Sequence, residues 1–221
     1  IPMNWDLQAI KHLLITRKED YLNASALFLY LFLIITALLI GKSVSTALFI
    51  SQYGALKLPY AIIGQTLLIT LLIALYLRLA RHFQPSALIS ISLLFFAANA
   101  LLLWGSLHFK LSGIAIVAYL WSGLFGVIAP MQVWILGNYI FTTREARRYF
   151  GFIGSGGLLG FICGGYLSKT FASQLGAENL LPGMVVCCCL AAVLVQFVWQ
   201  QNSKRIAELQ ADTKPAPVSL R

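Results

Sequence analysis

Acidic side chains are scarce in this chain, seven Asp and Glu against sixteen Lys and Arg, and none lies inside an apolar run. Asp6, Glu19, Asp20, Glu145, Glu178, Glu208 and Asp212 all fall in the termini or between the runs. Intramembrane carboxylates are what proton- and sodium-driven machines commonly use, so their absence argues against ion-coupled work. Histidine is equally sparse: His12, His82 and His108 sit near water with no ligand-like spacing. Of the four cysteines, Cys187, Cys188 and Cys189 are consecutive and Cys163 stands alone. Consecutive residues on a helix point about 100° apart, so three in a row cannot converge on one metal, and nothing suggests a disulfide framework. No nucleophile–base pair, metal constellation or redox motif is present, so neither catalysis nor a cofactor is expected.

What the chain has in abundance is apolar length. It is 59% hydrophobic and 10% charged over 221 residues. Six stretches, 21–50, 59–80, 86–107, 113–141, 149–171 and 180–199, reach the roughly 20 apolar residues that a spanning helix needs. The expected fold class is all-α integral membrane: six transmembrane helices filling 21–200, flanked by segments 1–20 and 201–221. A net charge of +9 would suggest nucleic acid in a soluble protein. Here the positive-inside rule accounts for it, because an inside N-terminus places twelve of the sixteen basic residues on the cytoplasmic side. Both termini are therefore expected in the cytoplasm, the bilayer is the first partner, and no nucleic acid is expected.

Residues 3–16 carry Trp5, Ala9, Ile10, Leu13 and Leu14 mostly on one side of a helical wheel, which predicts an amphipathic interfacial helix. Arg17, Lys18, Glu19 and Asp20 then mark a water boundary. The connections are short, at 52–58, 81–85, 108–112, 142–148 and 172–179, so successive helices should be antiparallel neighbours. The first span is long enough to require tilt or extension past the surface. Pro130 should kink the fourth. The chain opens Ile1-Pro2, as expected of a processed or trimmed polypeptide, and its Pro-containing end reads as a tail or a linker. Six helices suit a 3 + 3 arrangement, the half-unit of a major-facilitator-type transporter.

Lys42 is the one ionisable group well inside a span. Ser45, Thr46 and Phe49 follow at +3, +4 and +7, on the same helical face. Two readings stand side by side: an anion-attracting group in a central cavity, or a stem that snorkels to the outer headgroups. Tyr119, Ser122, Gly123, Gly126 and Pro130 form a second small-and-polar stripe in the fourth span. Gln65, Asn99 and Asn138 are intramembrane amides, expected to serve as interhelical hydrogen-bonding groups. In the fifth span Gly156, Gly160 and Gly164 recur every four residues, which favours close helix packing over a phosphate-binding loop, since no strand precedes them. Arg144, Glu145, Arg147 and Arg148, with Arg78 and Arg81, read as a topology signal or a cytoplasmic gate.

The stretch Leu120-Trp121 … Trp134-Ile-Leu-Gly-Asn138 … Thr143-Arg-Glu145-Ala-Arg147-Arg148-Tyr-Phe150-Gly151-Phe-Ile-Gly154 resembles the ATP/ADP translocase (nucleotide transporter) family and its bacterial major-facilitator-like relatives. Lys42-Ser-Val-Ser-Thr-Ala47-Leu48-Phe49 … Gly54-Ala55 … Leu58-Pro59-Tyr60 is similar to the matching first-span region. The resemblance covers about 22–165 and implies the first six of about twelve helices, in a bacterial inner membrane. Two positions depart from the pattern. Ser45-Thr46 stand where the family has a basic residue followed by Asp, and Tyr119 stands where it has Glu. The likeness thus carries the fold, whereas the charged positions implicated in nucleotide exchange are replaced. Two functions follow as expectations. One is a transporter-like domain that moves or binds a small solute, an anionic one if Lys42 faces it, together with a second half. There Lys42, Ser45, Thr46, Tyr119 and Ser122 would line the pathway. The other is a non-transporting six-helix scaffold or accessory subunit of a larger membrane complex.

Overall fold

The structure is a computed structural model that describes residues 7–80, 83–107, 113–203 and 206; side chains are described from Asp20 onward, apart from those of Ala80 and Leu175. Six long helices follow one another: α1 (Leu7–Tyr53), α2 (Leu58–Ala80), α3 (Pro85–Leu107), α4 (Ile114–Ile140), α5 (Thr143–Leu175) and α6 (Leu181–Gln201). No strand occurs among the described residues. Each helix contains a stretch long and apolar enough to cross a bilayer. The chain is an integral membrane protein, with six such helices among the described residues.

Two boundaries differ from the sequence reading, each for a local reason. α1 runs unbroken past Arg17 and Asp20, because nothing in that charged segment interrupts the backbone ladder. The side chains of the expected amphipathic face at 3–16 lie outside the described residues, as do Arg81 and the tail beyond 206. α5 begins at Thr143, about two turns before the expected start. Glu145 Oε2 accepts the Thr142 backbone N–H at 2.9 Å, in the pattern of a capping box. The Arg-rich stretch is therefore the first two turns of α5, not a loop. Pro130 lies within α4, which is continuous around it.

The connections at the two ends of the bundle use different chemistry. At the end carrying Lys57, all three turns place a glycine at positive φ: Gly54 at 80°, Gly113 at 90° and Gly176 at 85°. Residues with a Cβ rarely adopt that conformation. At the other end, which carries Arg78 and Arg144, α3 opens on Pro85 and α5 on its Thr142 cap.

α1 is the central helix, packed against α4, α5 and α6; α3 lies on α6 and α4, and α2 packs chiefly on α4. Lipid is as apolar as leucine, so close backbone approach and interhelical hydrogen bonds must supply what water exclusion supplies elsewhere. Both devices are present. A Cβ on Gly160 would fall 2.5 Å from the Phe32 carbonyl oxygen, and one on Gly164 would fall 3.1 Å from that of Thr36. Gly156 sits against the Phe28 carbonyl in the same way. Asn23 and Asn202 exchange reciprocal amide hydrogen bonds, each 2.8 Å, tying the start of the first span to the end of α6. The core is built around Leu27, Ile34, Leu93, Phe125, Leu136 and Met184, all under 2% exposed.

Candidate functional site

α1, α2 and α4 bring Lys42, Gln65 and Tyr119 together. Lys42 is half-buried, and its Nζ donates to Gln65 Oε1 at 3.2 Å while lying 4.1 Å from the centroid of the Tyr119 ring. Both partners are neutral; no carboxylate among the described residues pairs with this ammonium. A cation over an aromatic face is attracted by the ring quadrupole, which gains strength as water is removed. Gly123 makes the arrangement sterically feasible, because a Cβ there would collide with the Gln65 side chain.

Beneath the cation, Ser45 Oγ donates to Ser122 Oγ at 2.8 Å, and Ser122 donates to the Tyr119 carbonyl at 2.9 Å. The Lys42 carbonyl, 3.2 Å from Ser45 Oγ, is a second acceptor for the same hydroxyl. Ser45 and Ser122 are 2% and 1% exposed, so the pair forms a closed floor. Thr46 is half-buried, one turn after Lys42, and stands outside that chain of hydroxyls. Phe49 packs at a tilt against Tyr119, with centroids 5.1 Å apart, and against Tyr53 at 5.2 Å, continuing the aromatic wall toward the lysine end. On the far side of Ser45 the interior is tight: the cavity bounded by Gly41, Val44, Ser45 and Trp121 holds about 10 Å³.

The other residues read from the sequence are dispersed. Arg78, Arg144, Arg147 and Arg148 are exposed at the arginine end, where Arg148 lies over the Tyr149 ring at 5.5 Å. Glu145 serves the α5 cap. Gly156, Gly160 and Gly164 face α1. Asn99 donates to its own helix at Phe95 O, 2.8 Å, and Asn138 is exposed.

Sequence reasoning missed a second polar cluster. Gln132, 0% exposed, donates through Nε2 to the Tyr76 hydroxyl at 3.0 Å and to Ser92 Oγ, joining α2, α3 and α4. Its Oε1 and the nearly inaccessible Tyr30 hydroxyl have no partner among the described residues. A signal existed: Gln132 follows Phe125 by seven and Trp121 by eleven, so it shares their buried helical face.

No family model matches the chain, and neither a curated protein nor a solved structure matches it.

Proposed function

We propose that this chain is a carrier-type half that holds a small anion at Lys42, among α1, α2 and α4, and works with a second half. That half would be another copy, another chain or further sequence. The observation that carries the reading is an ammonium within the membrane whose only close partners among the described residues are an amide oxygen and an aromatic ring. Such a charge is costly unless an anion or water compensates it. An anion approaching Nζ would also meet the Gln65 amide N–H groups once the side chain turned.

The helix pairings support a 3 + 3 organisation. α1 packs on α4, α5 and α6; α4 packs on α1, α2 and α3; and α3 packs on α6. Exchanging the first three helices for the last three leaves that set of pairings unchanged, as two related three-helix units would require. The distribution of Arg and Lys favours cytoplasmic termini. The likeness to nucleotide exchangers and their bacterial relatives favours a major-facilitator-type half in a bacterial inner membrane.

The test is uptake by vesicles reconstituted with the full chain and its co-purifying partner, using a panel of labelled small anions that begins with inorganic phosphate. Lys42→Ala should lower uptake about tenfold, the worth of one charge-assisted hydrogen bond. Unchanged uptake rejects the role given to Lys42. A second reading, a non-transporting scaffold subunit, draws on the buried Ser45–Ser122 pair and the tight interior behind it. It requires stable co-purification with unlike subunits in mild detergent and no flux for any anion tested.

A further inference from the structure

Close to the Lys42 site lies a groove of about 470 Å³, bounded by Phe49 and Tyr53 of α1, Lys57 of the connecting 3-10 turn, Tyr60 and Ala61 of α2, and Ile116 of α4. Its size is that of small-molecule sites, roughly 300–1,000 Å³. We propose that it binds an anionic membrane lipid, with the phosphate at Lys57 and an acyl chain lying along Ala61 and Ile116.

Three observations select this occupant. First, the walls are apolar except for Lys57 and the tyrosine hydroxyls, so the body of the ligand must be apolar. Second, beyond the turn at Gly54 the backbones of α1 and α2 stand apart and are bridged by the Lys42–Gln65 hydrogen bond, which leaves the groove open between two membrane helices. A ligand can enter sideways from the hydrocarbon. Third, the one cation on the groove walls stands at the mouth of its aromatic lining, with Lys57 Nζ 5.8 Å from the Tyr53 centroid. No acidic residue contributes to the walls, so the local potential is positive. A zwitterionic lipid would leave Lys57 without net compensation, and a free anion would gain nothing from the apolar walls. This assignment does not depend on solute binding at Lys42.

The experiment uses the full chain in mild detergent, incubated with phosphatidylglycerol or phosphatidylcholine of identical acyl chains and read by native mass spectrometry. One phosphatidylglycerol should be retained about fivefold over phosphatidylcholine, the pull of a single lysine on an anionic headgroup. Lys57→Gln should erase the preference, whereas Lys42→Gln should leave it intact. Ala61→Trp, which fills the groove, should lower retention of both lipids. Excess inorganic phosphate should displace neither. Equal retention of the two lipids, or a preference that survives Lys57→Gln, would overturn the proposal. Displacement by phosphate would reassign the groove to a soluble anion, and loss of the preference in Lys42→Gln would move the headgroup away from Lys57. Either outcome also overturns it. Lys57 is exposed, so its variant tests binding without disturbing the bundle.

Discussion

α5 and α2 each rest mainly on one neighbour, yet their seats are made of opposite materials. α5 lies on α1 through Gly156, Gly160 and Gly164, backbone against the carbonyls of Phe28, Phe32 and Thr36. Thr36 adds a hydrogen bond to the Gly160 carbonyl at 3.3 Å. α2 presents no buried residue within its apolar span and is tied by two polar side chains on one face, Gln65 to Lys42 and Tyr76 to Gln132. In a bilayer, where apolar surface gains little from leaving lipid, the first seat is held by shape and the second by hydrogen bonds. A seat of shape has no second position to move to. A seat of two hydrogen bonds can be exchanged for a ligand's, and it is the one that adjoins the unpaired cation. The difference separates a helix seated on backbone from one held by side chains.

The sharpest way to break this contrast is to add bulk to the α5 seat and to an open face of α2. Gly160→Leu would force α5 off the Phe32 carbonyl, and overpacking of a tight core costs about 3 kcal/mol or more. Thermal unfolding in detergent should show a large drop or no folded protein. Gly64→Leu on α2 is the control: a Cβ there meets nothing within 4 Å, and the melting temperature should hold. Equal damage at both positions would end the distinction.

Gly123→Ala acts on the α2 seat itself. Its Cβ would strike the Gln65 side chain, which is flexible and can swing away where a backbone carbonyl cannot. The expected cost is about 1 kcal/mol, with loss of the Gln65–Lys42 hydrogen bond rather than of the fold. Lys42 should then label several-fold faster with a membrane-permeant amine reagent. Unchanged labelling would mean that Gln65 does not hold the ammonium.

How far these two seats could be read in advance differs for the same physical reason. The glycine spacing fixes a face of α5 from local geometry, because residues four apart stack on any helix. Lys42 is conspicuous because charge inside a span is rare. Its partner is not: Gln65 lies 23 residues away, and no local rule links two helices whose backbones stand apart. The carbonyls of Phe28, Phe32 and Thr36 are equally silent, since a backbone seat leaves no mark on residue type. The Arg-rich start of α5 was hidden differently. Its charges read as a loop, while the Thr142–Glu145 spacing that starts a helix was present in the same seven residues.

Interhelical hydrogen bonds in membranes average about 0.6 kcal/mol, because the separated helices find other partners. The Ser45–Ser122 pair is the place to measure one inside the α1–α4 contact, away from α2. Gln132→Leu is the counterpart on the α2 side: it removes an unpaired buried oxygen along with the bonds to Tyr76 and Ser92, so the melting temperature should fall by less than two lost hydrogen bonds would require. In a double-mutant cycle of Ser45→Ala and Ser122→Ala, the coupling energy should come out near 0.6 kcal/mol. Uptake or anion binding should stay within about twofold, since both hydroxyls are buried against each other. If either single variant abolished binding while melting normally, the floor would have to open to the ligand, and the Ser45–Ser122 pair would belong to the site rather than to the helix contact.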